Sequence, residues 1–251
     1  TCGSYTYLIF ATVLFFFSVL LARVAPVVLF PLFYKFVALP EGEVRSRLSS
    51  LLDREKIAFK DIFSFNMSKN TRKANAAMAG IGKSRRIILS DTLLESFTPA
   101  EIESVFAHEV GHYRHKHIPL LVCVNGILIY LSFFLCGLLY SRTISLMGFL
   151  GESDIAALPI LILYLSAFGL AVMPLSNMLS RRCERQADAY AIESTKNPEA
   201  FISAMERLAS MNLSEKQPHP LVEFFFHGHP SIAKRIAFAR TRITSSREAG
   251  E

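Results

Sequence analysis

Charge is what this sequence has little of, and the shortage is concentrated. Of 251 residues, 19% are charged and 51% hydrophobic, against about 25% and 45–50% in ordinary soluble domains. Thr1 to Ala22, Ile118 to Tyr140 and Ile155 to Ser180 contain no charged side chain. Each run reaches or exceeds the roughly 18 apolar residues that suggest a membrane-spanning helix. A simple soluble enzyme and a disordered chain are thereby excluded. The four cysteines (Cys2, Cys123, Cys136 and Cys183) show no CxxC or zinc-ribbon spacing. That excludes a disulfide-stapled secreted domain and leaves them as small core residues. Repeats and low-complexity tracts are absent, as is a basic stretch ahead of the first apolar run. A cleavable signal peptide is therefore not expected. With Thr rather than Met in first place, the expectation is a longer membrane protein with further spans before Thr1.

The charge that is present is distributed informatively. The net charge is +6; Arg23–His117 holds 15 basic against 10 acidic residues, and Arg181–Glu251 holds 11 against 9. The connector Ser141–Asp154 has Arg142 against Glu152 and Asp154. Three spans alternate sides, so the two basic segments share one face, and the excess of Lys and Arg beside the spans makes that face cytoplasmic. Thr1 then lies outside. A nucleic-acid partner is not expected, because the basic residues are scattered among acids and membrane topology accounts for them.

The chain divides accordingly. A span with a Pro26/Pro31-kinked apolar stretch occupies 1–34, and a catalytic segment 35–117. Spans at 118–140 and 155–180 flank an external connector at 141–154, and a second cytoplasmic segment follows over 181–251. Apolar spacing predicts a helix over Glu43–Glu55, with Val44, Leu48, Leu51 and Leu52 on one face. Strands are predicted at Asp61–Met67, Ala76–Ile81 and Arg86–Ser90, separated by turns at Lys69–Lys73 and Gly82–Arg85, with one sheet edge left open. Thr98-Pro99-Ala100-Glu101 reads as a capping box with Pro at the first helical position. The helix it opens carries Ile102, Val105, Phe106 and Val110 and runs towards His117. The third span contains Pro174 and grades into a charged helix, Arg181–Glu193. A further amphipathic helix covers Pro198–Met211.

His108-Glu109-Val110-Gly111-His112 lies on the capped helix and spells HExxH. Residues i and i+4 share a helix face, so both imidazoles can reach one zinc ion. Glu109 is then placed to take a proton from an attacking water. A catalytic zinc ordinarily has three protein ligands, so a third must come from another segment on the same side. Cys183, Glu184 and Asp188, on the helix leaving the third span, are the candidates. Glu184 and Asp188 are i, i+4. One carboxylate can therefore ligate while the other accepts the second N–H of a ligand histidine.

HExxH followed by Ser180-Arg181-Arg182-Cys183-Glu184-Arg185-Gln186-Ala187-Asp188-Ala189 resembles the membrane zinc metalloproteases that include CAAX prenyl proteases and the heat-shock membrane protease. Pro31–Phe36, Leu39–Gly42 and Ile88–Leu94 resemble the CAAX prenyl protease branch more narrowly, and the likeness extends from Val24 to Ala237. It implies a mainly α, integral membrane fold, with helical spans and a cytoplasmic zincin-like catalytic domain containing a small β-sheet. It implies one Zn²⁺ per chain on His108, His112 and Glu184, Glu109 as base, and Asp188 supporting a ligand histidine. It also implies that His229 and Arg235 steady the oxyanion, and that Asn75, Ala76, Ala77 and Gly80 form the strand against which substrate pairs. The seven-span barrel of the family exceeds the three spans visible. The direct run from Asp91–Leu94 into Thr98, without a long charged insert, points to a bacterial inner membrane rather than the endoplasmic reticulum.

The expected partners are the lipid bilayer and a peptide or protein substrate, lipidated C-terminal tails included. The expected activity is that of a zinc endopeptidase at the cytoplasmic membrane face. A quality-control protease for misfolded membrane proteins and a catalytically silent, metal-bound scaffold are the alternatives. His115 and His117, at i+3 and i+5 from His112 on a continuing helix, are expected to face the membrane interface, away from the metal. His219 and His227 flank an aromatic run. Asn177 and Ser180 are read as helix-packing groups.

Overall fold

The computed structural model describes residues 3–248 apart from 26, 27, 29, 81–84, 214 and 216. Cys2, the kink at Pro26, the strand end at Ile81 and most of the Gly82–Arg85 turn lie outside the described residues. The first apolar run forms α1 (Gly3–Val24), followed by one helical turn, α2 (Phe30–Phe33), and β1 (Phe36–Ala38). Three residues carry too little alternation for β1 to be read from sequence. Then come α3 (Glu43–Arg54), β2 (Asp61–Phe65), β3 (Ala76–Ala79) and β4 (Arg86–Ser90). A short helix α4 (Asp91–Ser96) leads to α5 (Pro99–Arg114), which carries HExxH. The chain continues through α6 (His117–Leu146), a 3-10 turn at Ile155–Ala157, and α7 (Leu158–Thr195). It closes with α8 (Pro198–Met211), α9 (Pro220–Phe226) and α10 (Ile232–Glu248).

The four strands lie in the order β1-β2-β4-β3, with β2 parallel to β4 and the other pairs antiparallel. β3 is thus an edge strand. The sheet, α3 and α8 surround α5 in one core: Ile102, Phe106 and Val110 cluster with Leu48, Leu51, Ile87, Leu89 and Phe201. The predicted capping box is present. Thr98 Oγ1 accepts from Glu101 N at 3.3 Å, and Glu101 Oε2 accepts from Thr98 N at 2.7 Å.

Among the described residues, three helices are long and apolar enough to cross a membrane, and they expose large side chains such as Phe10, Phe17, Phe134 and Leu163. Small residues set their packing: a Cβ on Gly137 would sit 2.7 Å from the Tyr7 ring. α7 has 38 residues, roughly 57 Å of helix against a hydrocarbon core of roughly 30 Å. It is thus longer than a single crossing needs, and its charged last turns, beyond Ser180, deliver Glu184 and Asp188 to α5. The two helices nearly touch where they cross, since a Cβ on Gly111 would lie 2.9 Å from Ala187 Cα.

The expected course of α5 fails. α5 does not continue to His117; it stops at Arg114, and Lys116 adopts the left-handed conformation at φ 55. His115 N and Lys116 N bond back to the carbonyls of Gly111 and Tyr113, satisfying the helix end. A new helix then starts at His117 with its phase reset.

Candidate metal centre

The i, i+4 spacing on α5 brings His108 and His112 together, with their Nε2 atoms 3.1 Å apart. Glu184 arrives from α7 and completes the cluster: Oε2 lies 3.3 Å from His108 Nε2, and Oε1 lies 3.3 Å from His112 Nε2. Four ligands around zinc at ~2.0–2.1 Å would stand roughly 3.3 Å from one another, so these donors are spaced as corners of that tetrahedron. His108, His112 and Glu184 form the grouping that could hold a metal among the described residues. Cys183, although adjacent in sequence, is buried and outside it.

The surroundings favour positive charge between these donors. Burial pushes the His108 imidazole down, but Asp188 and Glu184 outweigh it and hold it up at about 9. Burial alone would raise the Glu184 carboxyl, yet His108, His112 and His229 together hold it far below the usual range. Glu184 Oε2 is buried without a well-formed hydrogen bond, as an atom meant for a cation would be. The donor set fits zinc: two imidazoles and a carboxylate, with a position left open.

The ring nitrogens facing away are also fixed. His108 Nδ1 lies 2.8 Å from Asp188 Oδ1, so it donates there and leaves Nε2 for the metal. Arg235 forks onto the same carboxylate, with Nε at 2.8 Å and Nη2 at 2.5 Å, and Nη2 is 3.3 Å from His108 Nδ1. His229 is 70% exposed, and its Nδ1 stands 2.9 Å from Glu184 Oε2. The structure thus brings His229 and Arg235 to the cluster from the C-terminal segment, with Arg235 turned onto Asp188. His117, expected to face away, is instead 1% exposed with its Nδ1 3.0 Å from His112 Nδ1.

Glu109 follows His108 on α5, and burial raises its carboxyl against the pull of His108 and His112. It lines a cavity of about 280 Å³ with His112, Tyr113, Met78, Gly80 and Arg85. The end of β3 therefore borders the same space as Glu109. Ala76 and Ala77 lie in β3 with Asn75 just before it, tied to β4 by Ser90 N donating to the Asn75 carbonyl. Gly80 has φ 93, the left-handed region that suits glycine.

The anchors from Arg181 and Glu223 escaped sequence reasoning. Arg181 Nη1 donates to the carbonyls of Glu223 and His227 at 3.1 and 2.7 Å, and Asn177 Nδ2 donates to that of Phe225. These bonds cap the end of α9. Glu223 accepts from Ser231 N and Lys234 Nζ. Together they pin the loop that carries His229. Asn177 thus packs helices as expected, and a Cβ on Gly228 would sit 3.2 Å from Ser180 Oγ. His219 caps α9. No local periodicity signals contacts between segments some forty residues apart.

Comparison with known proteins agrees with this geometry. The model of Peptidase family M48 matches residues 38–243. The chain is 37% identical over 227 residues to the uncharacterized metalloprotease YhfN of Bacillus subtilis, covering 89% of this chain and 53% of that protein. It is 31% identical over 241 residues to CAAX prenyl protease 1 of Saccharomyces cerevisiae, again with 89% and 53% coverage. The crystal structure of S. mikatae Ste24p superposes with a TM-score of 0.81 at 29% identity, covering 93% of this chain and 58% of that one. The chain spans about half the length of the curated relatives it matches.

Proposed function

The chain belongs to peptidase family M48, and from that premise we propose that it carries the catalytic centre of a zinc-dependent membrane endopeptidase of the CAAX prenyl protease type. The observation that carries this reading is the cluster of His108 Nε2, His112 Nε2 and the Glu184 carboxylate at 3.1–3.3 Å, with Glu109 beside it. Zinc held there supplies Lewis-acid polarisation of the scissile carbonyl and makes water more acidic. Glu109 takes the proton of the attacking water and passes it to the leaving amine, a role its raised carboxyl suits. His229, largely exposed at the edge of the cluster, donates to the developing oxyanion. Arg235 shares that role and, through its fork on Asp188, also orients His108. The free edge of β3 receives the substrate backbone as an added strand, with Asn75, Ala76, Ala77 and Gly80 along it.

The position of the centre, where α7 leaves its apolar run, favours substrates that approach along the membrane, lipidated C-terminal tails among them. The charge distribution supports a cytoplasmic site. The 37% identity to a Bacillus protein supports a bacterial inner membrane. The test is cleavage of a prenylated peptide and its unprenylated twin by the chain in detergent or bilayers, with and without a chelator. Chelator-sensitive cleavage that Glu109→Gln abolishes is expected. Full cleavage by Glu109→Gln or Glu184→Ala would sink the proposal, and equal cleavage of the twins would remove the prenyl requirement in favour of quality control.

A further inference from the structure

The two ligand histidines are oriented by different chemistry. His108 Nδ1 faces a carboxylate, Asp188, which is itself held by Arg235. His112 Nδ1 faces an imidazole: His117 Nδ1 lies 3.0 Å away, and the rings meet nearly edge to face at 78°. Two nitrogens at that distance must be one donor and one acceptor. The far nitrogen decides which. His117 Nε2 lies 3.0 Å from Gln186 Oε1, an atom that can only accept, so His117 carries its proton on Nε2 and presents a lone pair at Nδ1. His112 must then donate from Nδ1, and its own lone pair is left on Nε2, facing Glu184.

We propose that His117 and Gln186 form an uncharged relay that fixes His112 as its Nδ1–H tautomer and aims Nε2 at the metal. His117 is a positioning residue here, acting through His112. The relay exists because the left-handed turn at Lys116 folds α6 back onto the end of α5. Its far end comes from α7, two residues beyond Glu184. The helix that supplies the third ligand thus also orients the second one. Gln186 borders a cavity of about 830 Å³ between α6, α7 and α10, so it can be replaced without opening the core.

The inference rests on the reading of His112 as a zinc ligand. The experiment measures zinc affinity of the purified chain by chelator competition for wild type, His117→Leu, His117→Asn and Gln186→Leu, alongside ¹⁵N-histidine NMR of the zinc-loaded wild type. Loss of acceptor in His117→Leu should weaken zinc by about 10- to 100-fold, the range for partners of metal-bound histidines. His117→Asn, whose Oδ1 can stand where Nδ1 stood, should recover most of that loss, and Gln186→Leu should show a smaller loss. The spectra should place the proton of His112 on Nδ1 and that of His117 on Nε2. A His117 proton on Nδ1 would overturn the relay, as would undiminished zinc affinity in His117→Leu or equal losses in the Leu and Asn variants. Absence of zinc binding by the wild type would overturn the metal centre as well, and so is distinguishable from failure of the relay alone.

Discussion

Asp188 accepts from His108 Nδ1 and from both arms of the Arg235 fork, so its removal strands a buried guanidinium as well as the Nδ1–H of His108. Asp188→Asn keeps an acceptor oxygen but loses the charge, and is expected to weaken zinc about 10- to 100-fold in chelator competition. Asp188→Ala should in addition lower stability by about 3–5 kcal/mol, the cost of breaking a buried pair, read from thermal unfolding without metal. At this scale the sequence was partly legible. His108, Glu109 and His112 follow from one helical repeat. The spacing of Glu184 and Asp188 marks them as a pair, without saying which ligates. The answer depends on how α7 meets α5: Glu184 falls on the Nε2 side of both rings, and Asp188 behind one of them.

The close crossing of α5 and α7 depends on the absence of a side chain at Gly111. Ala has the better helix propensity by about 1 kcal/mol, but its Cβ would meet backbone, Ala187 Cα, at 2.9 Å. Gly111→Ala is therefore expected to destabilise despite its propensity, by about 1–3 kcal/mol as overpacked cores do. It should also weaken zinc as Glu184 recedes; unfolding and chelator competition would report the two effects. The start of α5 makes a separate prediction. Burial disfavours ionised Glu101, but the Ser203 hydroxyl, the Thr98 N–H and Arg207 outweigh it and hold its carboxyl below its usual value. A group depressed in the folded state stabilises above its unfolded pKa and loses that contribution as pH falls through the folded one. The stability difference between wild type and Glu101→Gln should accordingly be largest near neutral pH and shrink below about 4.5. Paired pH–stability curves would check this. Thr98-Pro99-Ala100-Glu101 announced the start of α5. Nothing comparable announced its end, because the left-handed residue there is a lysine rather than a glycine.

For the whole molecule, the centre joins segments more than 70 residues apart, so a ligand that binds only the assembled site should stabilise the fold. Zinc at about 1,000 times its Kd would add about 4 kcal/mol. Stripping with a chelator should lower the thermal midpoint, and readding zinc should restore it. Glu184→Ala should abolish that response. We propose that the three apolar helices each cross the membrane, which would put both charged segments on one side. Single cysteines placed at Lys35 and Lys196 should react with an impermeant reagent from the same side of oriented vesicles, and one at Glu152 from the opposite side. Labelling of all three from one side would refute the three-span arrangement.

The sequence by itself determined the membrane character, the HExxH helix with its cap, and the carboxylate pair, because each is written in a periodicity or a run that neighbouring residues complete. Tertiary structure decided that Glu184 reaches both His108 and His112, that Arg235 grips Asp188, and that His117 turns back onto His112. Those outcomes depend on the angle and closeness at which distant helices pack, here through Gly111 against Ala187 and the turn at Lys116. Such contacts leave no periodic trace in either segment.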